Sequence, residues 1–121
     1  MIIGIGTDIV QIPRIEKLID KFGNYFAQKI LAEIELEKYE SLVAVHKASF
    51  LAKRFAAKES IAKAFGKGIG ASIRFHDIII DNDSEGKPLA TLNFSLAQGK
   101  KLFLSISDDY PVAVAFAVIS M

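Results

Sequence analysis

The sequence predicts an α+β fold in which helices, one of them long and central, pack on a small antiparallel sheet. Three observations point there. The first residues are β-branched and interrupted by glycine, a helical pattern runs unbroken from about His46 to Phe65, and the last third reads as short strands separated by turns. The chain has 121 residues, a length that fits one compact domain spanning residues 1–121.

Residues 2–10 read as a strand: Ile2, Ile3, Ile5, Ile9 and Val10 are β-branched, while Gly4 and Gly6 let another backbone come close. Pro13 suits the first turn of a helix that continues through Ile15, Leu18 and Ile19 and stops at Gly23-Asn24. A second helix is expected over 33–43, with Ile34, Leu36 and Leu42 set among acids. The longest helix, from about His46 to Phe65, is ended by Gly66 and Gly68. At about 100° per residue, Leu51, Phe55 and Ala62 fall on one side of it and Phe50, Ala57 and Ile61 on another, with Lys47, Arg54 and Lys58 between. Two apolar stripes need two neighbours, one of which can be another subunit, so this helix is central. Ile78-Ile79-Ile80 is a short strand, Asp81 to Pro88 a turn, and Leu89–Phe94 a further strand. Leu102–Ser107 and Val112–Ile119 form the last pair, joined by Asp108-Asp109-Tyr110-Pro111.

Composition narrows the function. Hydrophobic residues make up 51% and charged residues 24%, which suits a folded chain. So small a domain, with nine Phe, has apolar surface that another subunit can cover. A net charge of +1 points to neither nucleic acid nor an anionic membrane, so any anion site rests on local clustering. The absence of Cys excludes disulfides, thiol catalysis and Cys-ligated zinc. The opening residues lack the pattern of a signal peptide, and no run approaches the roughly 20 apolar residues of a membrane helix. A cytoplasmic protein is expected.

Several residues can carry chemistry. Glu59 and Lys63 stand four apart and share a helical face, with Ala52 and Ala56 nearby leaving room for a ligand. The same spacing also describes an exposed Glu–Lys pair worth roughly 0.2–0.5 kcal/mol. The loop Gly66-Lys67-Gly68-Ile69-Gly70 can offer backbone N–H groups to an anion, with Lys67 and Lys63 adding charge. It can equally be a helix cap followed by a turn, and it lacks the Gly-Lys-Ser/Thr ending of a P-loop. Asp8 closes the first strand, where it suits a hard cation if a second carboxylate comes near, or a turn. His46 and His76 are too few and too separated for zinc. Arg14, Lys17 and Lys21 share one face of the first helix, either solvated or a docking site for an acidic protein.

Taken in order, these stretches resemble the holo-acyl-carrier-protein synthase family, the short phosphopantetheinyl transferases. Ile3-Gly4-Ile5-Gly6-Thr7-Asp8-Ile9-Val10 looks like the family's first motif, with Arg14-Ile15 at the family's spacing. Phe50-Leu51-Ala52-Lys53-Arg54-Phe55-Ala56-Ala57-Lys58-Glu59, continuing to Gly70, looks like the second. Ile30-Leu31 before Glu35-Leu36 and the turn Glu85-Gly86-Lys87-Pro88 also match.

The resemblance implies transfer of 4′-phosphopantetheine from coenzyme A to a serine of apo-acyl carrier protein, with 3′,5′-ADP released, in fatty-acid biosynthesis. It implies that Asp8 and Glu59 hold Mg2+ against the coenzyme A pyrophosphate and that Lys63 stabilises the departing phosphate. It implies a nucleotide surface of Lys47, Arg54, Gly66, Lys67, Gly68 and Gly70, and a carrier-protein dock of Arg14, Lys17 and Lys21. It also implies a homotrimer with active sites at subunit interfaces. The pattern departs from the family at Asp108, which stands where many relatives have histidine after Ser105-Ile106-Ser107. An aspartate cannot donate to phosphate as an imidazolium does, so Asp108 or Asp109 either hydrogen-bonds metal-bound water or simply ends the strand. Two other readings of the sequence are a non-catalytic coenzyme A or nucleotide-binding subunit and a purely structural or docking trimer. The presence of Asp8, Glu59 and Lys63 together disfavours the first, and the second does not explain Asp8 and Glu59 together.

Overall fold

The computed structural model describes residues Met1–Met121. Strand β1 (Ile2–Gln11) leads directly into helix α1 (Ile12–Phe22), followed by α2 (Asn24–Ile30), α3 (Glu33–Ser41) and the long α4 (Ala44–Ala64). The remaining strands are β2 (Ile78–Asn82), β3 (Pro88–Leu92), β4 (Lys101–Asp109) and β5 (Val112–Ser120). β1, β5 and β4 form an antiparallel sheet in that order, and β2 and β3 form a separate antiparallel ribbon. This is the expected α+β class. No helix is long and apolar enough to cross a membrane.

α4 lies across the sheet because the residues between them are small. Ala113, Ala115 and Ala117 of β5 are fully buried, as are Ala52, Ala56, Ala57 and Ala62 of α4. β1 goes further and presents glycine. A Cβ on Gly4 would collide with the carbonyl oxygen of Ala64, and one on Gly6 with that of Ser60. The two backbones are therefore in contact, which only glycine permits.

The other side of α4 is covered by α1, α2 and α3, with Phe55 packed between Phe26 and Phe75 at ring separations of 6.5 and 5.6 Å. Both apolar stripes of α4 are thus buried inside one chain. The surface left open is the outer face of the sheet instead, where Ile5, Ile9, Phe103 and Phe116 are 61%, 67%, 57% and 44% exposed.

Four sequence expectations change. The helix at 24–30 was hidden behind Gly23, whose positive φ of 59° ends α1 one residue before α2 begins. α3 is shorter than 33–43 and is buried through Glu35 and Tyr39, while Ile34 is 54% exposed. The charges on α4 decide the inner face of α3, since Glu35 pairs with Arg54 and Lys58. Arg54 and Lys58, expected on the polar seam of α4, are buried. The last hairpin also turns later: β4 continues through Asp108 and Asp109, which pair with Ala113 and Val112, leaving Tyr110-Pro111 as the turn. Asp108 is accommodated in the strand by Lys53, 3.5 Å away.

Gly6→Ala places a methyl group against helix backbone that cannot move aside. It is expected to lower the unfolding free energy by about 1–3 kcal/mol, read as a lower urea midpoint at unchanged slope. An unchanged midpoint would show that β1 and α4 separate freely.

Candidate active site

The close seam between β1 and α4 sets the site. Side chains alternate along a strand, so Asp8 lies on the face of β1 that carries Gly4 and Gly6 and looks towards α4. Glu59 and Lys63 lie one turn apart on that helix. Lys63 Nζ donates to Asp8 Oδ1 at 3.0 Å and to the Thr7 carbonyl oxygen at 3.2 Å. The pairing is therefore across the seam, not along the helix between Glu59 and Lys63. Thr7 is fixed in turn by its hydroxyl, which donates to the Ala115 carbonyl of β5 at 3.1 Å.

Glu59 is half-buried and takes no part in the chain's four salt bridges. Burial pushes its carboxyl above the ordinary glutamate value, the Asp8 charge pushes the same way, and Lys63 opposes both. Two carboxylates thus face one position with a single lysine to balance them.

A second cleft, of about 310 Å³, opens beside the β2–β3 turn. Lys38, Lys53, Arg54, Asn82, Gly86, Pro88 and Asp108 are among its lining residues. Arg54 reaches Asn82 Oδ1 at 3.4 Å and stacks over the Phe50 ring at 4.6 Å. Three cations against one carboxylate make this an anion-favouring cleft.

A model of the 4′-phosphopantetheinyl transferase superfamily matches residues 4–115. The chain belongs to that superfamily. A holo-[acyl-carrier-protein] synthase of Orientia tsutsugamushi is 47% identical, aligned over 99% of this chain and 98% of that protein. Among solved structures, the holo-[acyl-carrier-protein] synthase of Neisseria meningitidis superposes with a TM-score of 0.90 at 42% identity, covering 100% of both chains. The enzyme from Bacillus anthracis, solved in complex with coenzyme A (3′,5′-ADP), superposes with a TM-score of 0.88 at 41% identity, covering 98% of this chain and 96% of that one.

For a member of this superfamily the position between Asp8 and Glu59 fits a hard divalent cation. Two carboxylates and the Thr7 carbonyl form an all-oxygen donor set, and an ammonium group already engages two of the three. No group of three or more His, Asp or Glu side chains converges anywhere, so protein ligands are few and the remainder would come from water or substrate.

The other sequence-predicted residues are dispersed. Gly66, at φ 76°, caps α4: its N–H donates to the Lys63 carbonyl and that of Lys67 to the Ala62 carbonyl. Gly70 donates to the Ile73 carbonyl. Within the loop, the N–H groups of Gly68 and Ile69 and the Lys67 ammonium are what remain for an anion. Lys47 sits over the Tyr39 ring at 5.2 Å and borders a groove with Glu16 and Asp20, two turns from Arg54 and outside its cleft. Arg14, Lys17 and Lys21 are all exposed on α1.

Sequence reasoning missed Lys38 and Asn82 as neighbours of Arg54, because they come from α3 and β2 while Arg54 is on α4. The Glu85-Gly86-Lys87-Pro88 turn, singled out in the sequence, was the one available signal.

Because the folded pKa of Glu59 is raised, its ionisation weakens the fold. That penalty is absent below the ordinary glutamate pKa and grows as pH rises through the raised value. Glu59→Gln is therefore expected to stabilise the metal-free protein near neutral pH by no more than about 1 kcal/mol for a partly exposed group, read as a higher melting temperature. The gain should disappear below about pH 4, and an equal gain at both pH values would assign it to something other than ionisation.

Proposed function

We propose that this protein, as one catalytic domain spanning residues 1–121, is a holo-acyl-carrier-protein synthase. It transfers 4′-phosphopantetheine from coenzyme A to a serine of apo-acyl carrier protein, releases 3′,5′-ADP, and serves fatty-acid biosynthesis. The observation that carries the reading is the meeting of Asp8, Glu59 and Lys63 at the seam of β1 and α4, in a chain whose relatives are synthases of that name.

The serine hydroxyl gives up its proton to water or an acidic side chain as its oxygen attacks the phosphorus next to the pantetheine, and the bond from that phosphorus to the 3′,5′-ADP oxygen breaks. Asp8 and Glu59 would hold Mg2+, which when bound would supply charge neutralisation for the pyrophosphate and help orient it for in-line displacement. Lys63 stands at the same position and meets the negative charge that develops on the departing phosphate. Arg54 and Lys53, with Lys67 and the free N–H groups of the Gly66–Gly70 loop, bind the nucleotide phosphates. Arg14, with Lys17 and Lys21, receives an acidic helix of the carrier and orients it.

In this reading the protein works in the cytoplasm as a homotrimer. The apolar outer face of the sheet supports assembly, since Ile5, Ile9, Phe103 and Phe116 are uncovered in one chain. The separation of Arg54 from Lys63, which border different clefts, supports a site completed between subunits. A sedimentation mass of one chain would overturn this.

Apo-acyl carrier protein incubated with this protein, coenzyme A and Mg2+ should gain the mass of one phosphopantetheine, and EDTA should prevent it. Asp8→Ala is expected to cut turnover by on the order of 10²-fold or more with the far-UV spectrum unchanged; near-normal turnover would remove Asp8 from the metal site. Arg14→Glu should raise the KM for the carrier and leave that for coenzyme A unchanged, and parallel losses would refute docking at α1.

A further inference from the structure

The most deeply buried carboxylate in the molecule is on α3, a helix rich in acids. The side chain of Glu35 is 0% exposed, and its two oxygens have different partners. Oε1 accepts the Ala32 N–H at 3.0 Å and the Lys58 ammonium at 2.6 Å. Lys58 is also held by the carbonyls of Ile30 and Phe75, at 2.8 and 3.1 Å. This half of the arrangement ties α2, α3 and α4 together and needs nothing from Oε2.

Oε2 instead lies 3.2 Å from Nε of Arg54. The contact acts through charge, because Nε–H does not point along a hydrogen-bond line to that oxygen. Arg54 is constrained from three directions: Glu35 at Nε, Asn82 Oδ1 at Nη2, and the Phe50 ring against its face. Its outer edge then borders the cleft shared with Lys53, Gly86 and Asp108. Two other carboxylates compete for the same guanidinium. Asp81 is near enough to stabilise its charge, and Asp108 lines the cleft itself. A guanidinium released at Nε would turn towards one of them and withdraw its paired donors from a ligand.

We propose that Glu35 is a positioning residue for the nucleotide subsite: it fixes the guanidinium plane of Arg54 so that the outer N–H groups meet a phosphate of coenzyme A in a forked pair. Such a pair depends on the angle of the plane as well as on charge. The proposal rests on the reading of this cleft as part of the coenzyme A surface.

The test compares three variants of the full chain by steady-state kinetics, with a melting curve for each. Lys58→Met keeps Glu35 on Arg54 and is expected to leave the KM for coenzyme A unchanged. Adding Glu35→Gln to Lys58→Met restores the net charge that the cluster has in the native protein, so no additional charge is left unmatched, but it frees Arg54. In that background the KM for coenzyme A is expected to rise by about tenfold, as for loss of one charge-assisted contact, with kcat and the carrier KM little changed. Arg54→Ala should raise the coenzyme A KM at least as far. If Arg54→Ala has no effect, the cleft is not part of the coenzyme A surface. If Arg54→Ala raises KM but the double variant matches Lys58→Met, Glu35 only braces the fold and the proposal is overturned. A double variant that fails to fold while Lys58→Met folds overturns it as well.

Discussion

β1 and α4 touch backbone to backbone, and much of the molecule's organisation follows from that contact. With Gly4 and Gly6 under Ala64 and Ser60, no side chain separates strand from helix. The next residue on that face of β1 is Asp8, so its carboxylate arrives beside Lys63 and within electrostatic reach of Glu59. The buried alanines of β5 and α4 continue the same close packing across the sheet. A site made this way stands on two rigid elements and not on loops, and its geometry is held by packing. Burial and the Asp8 charge both oppose ionisation of Glu59 there, and Lys63 favours it.

The buried charges of Glu35, Arg54 and Lys58 form the second organising centre. Lys58 donates to the carbonyl of Ile30, the last residue of α2, where helix carbonyls lack intrahelical partners. Burial draws the pKa of Lys58 down, and the charge and hydrogen bond of Glu35 oppose this. Breaking such a pair costs about 3–5 kcal/mol, whereas a well-packed apolar core would be at least as stable. Stability alone therefore gives little reason for charges here. The orientation of Arg54 towards the cleft gives one.

One chain holds its candidate anion-binding features apart. Arg54, Lys63 with Gly66, Lys47, and Gly70 border four different depressions. The outer sheet face is an exposed apolar area. The proposed trimer relates these two facts, because covering that face with copies of the chain brings parts of different chains together.

Much of the plan was legible in the residues. β-branched runs, helix-stopping glycines and the period of α4 marked the elements, because each reports a local backbone preference or a one-dimensional repeat. The motif residues Asp8, Glu59 and Lys63 could be picked out for the same reason: they lie in short, ordered stretches. What the residues could not tell was which partner each would meet. Lys63 pairs with Asp8, 55 positions away, and not with Glu59 on its own helix. α3 turns Glu35 inward and Ile34 outward because two cations wait on α4. The open apolar face falls on the sheet because α1, α2 and α3 already cover the far side of α4. Local sequence sets propensity and spacing, but burial, charge pairing and exposure depend on what the rest of the chain brings alongside, and only the packed structure contains that.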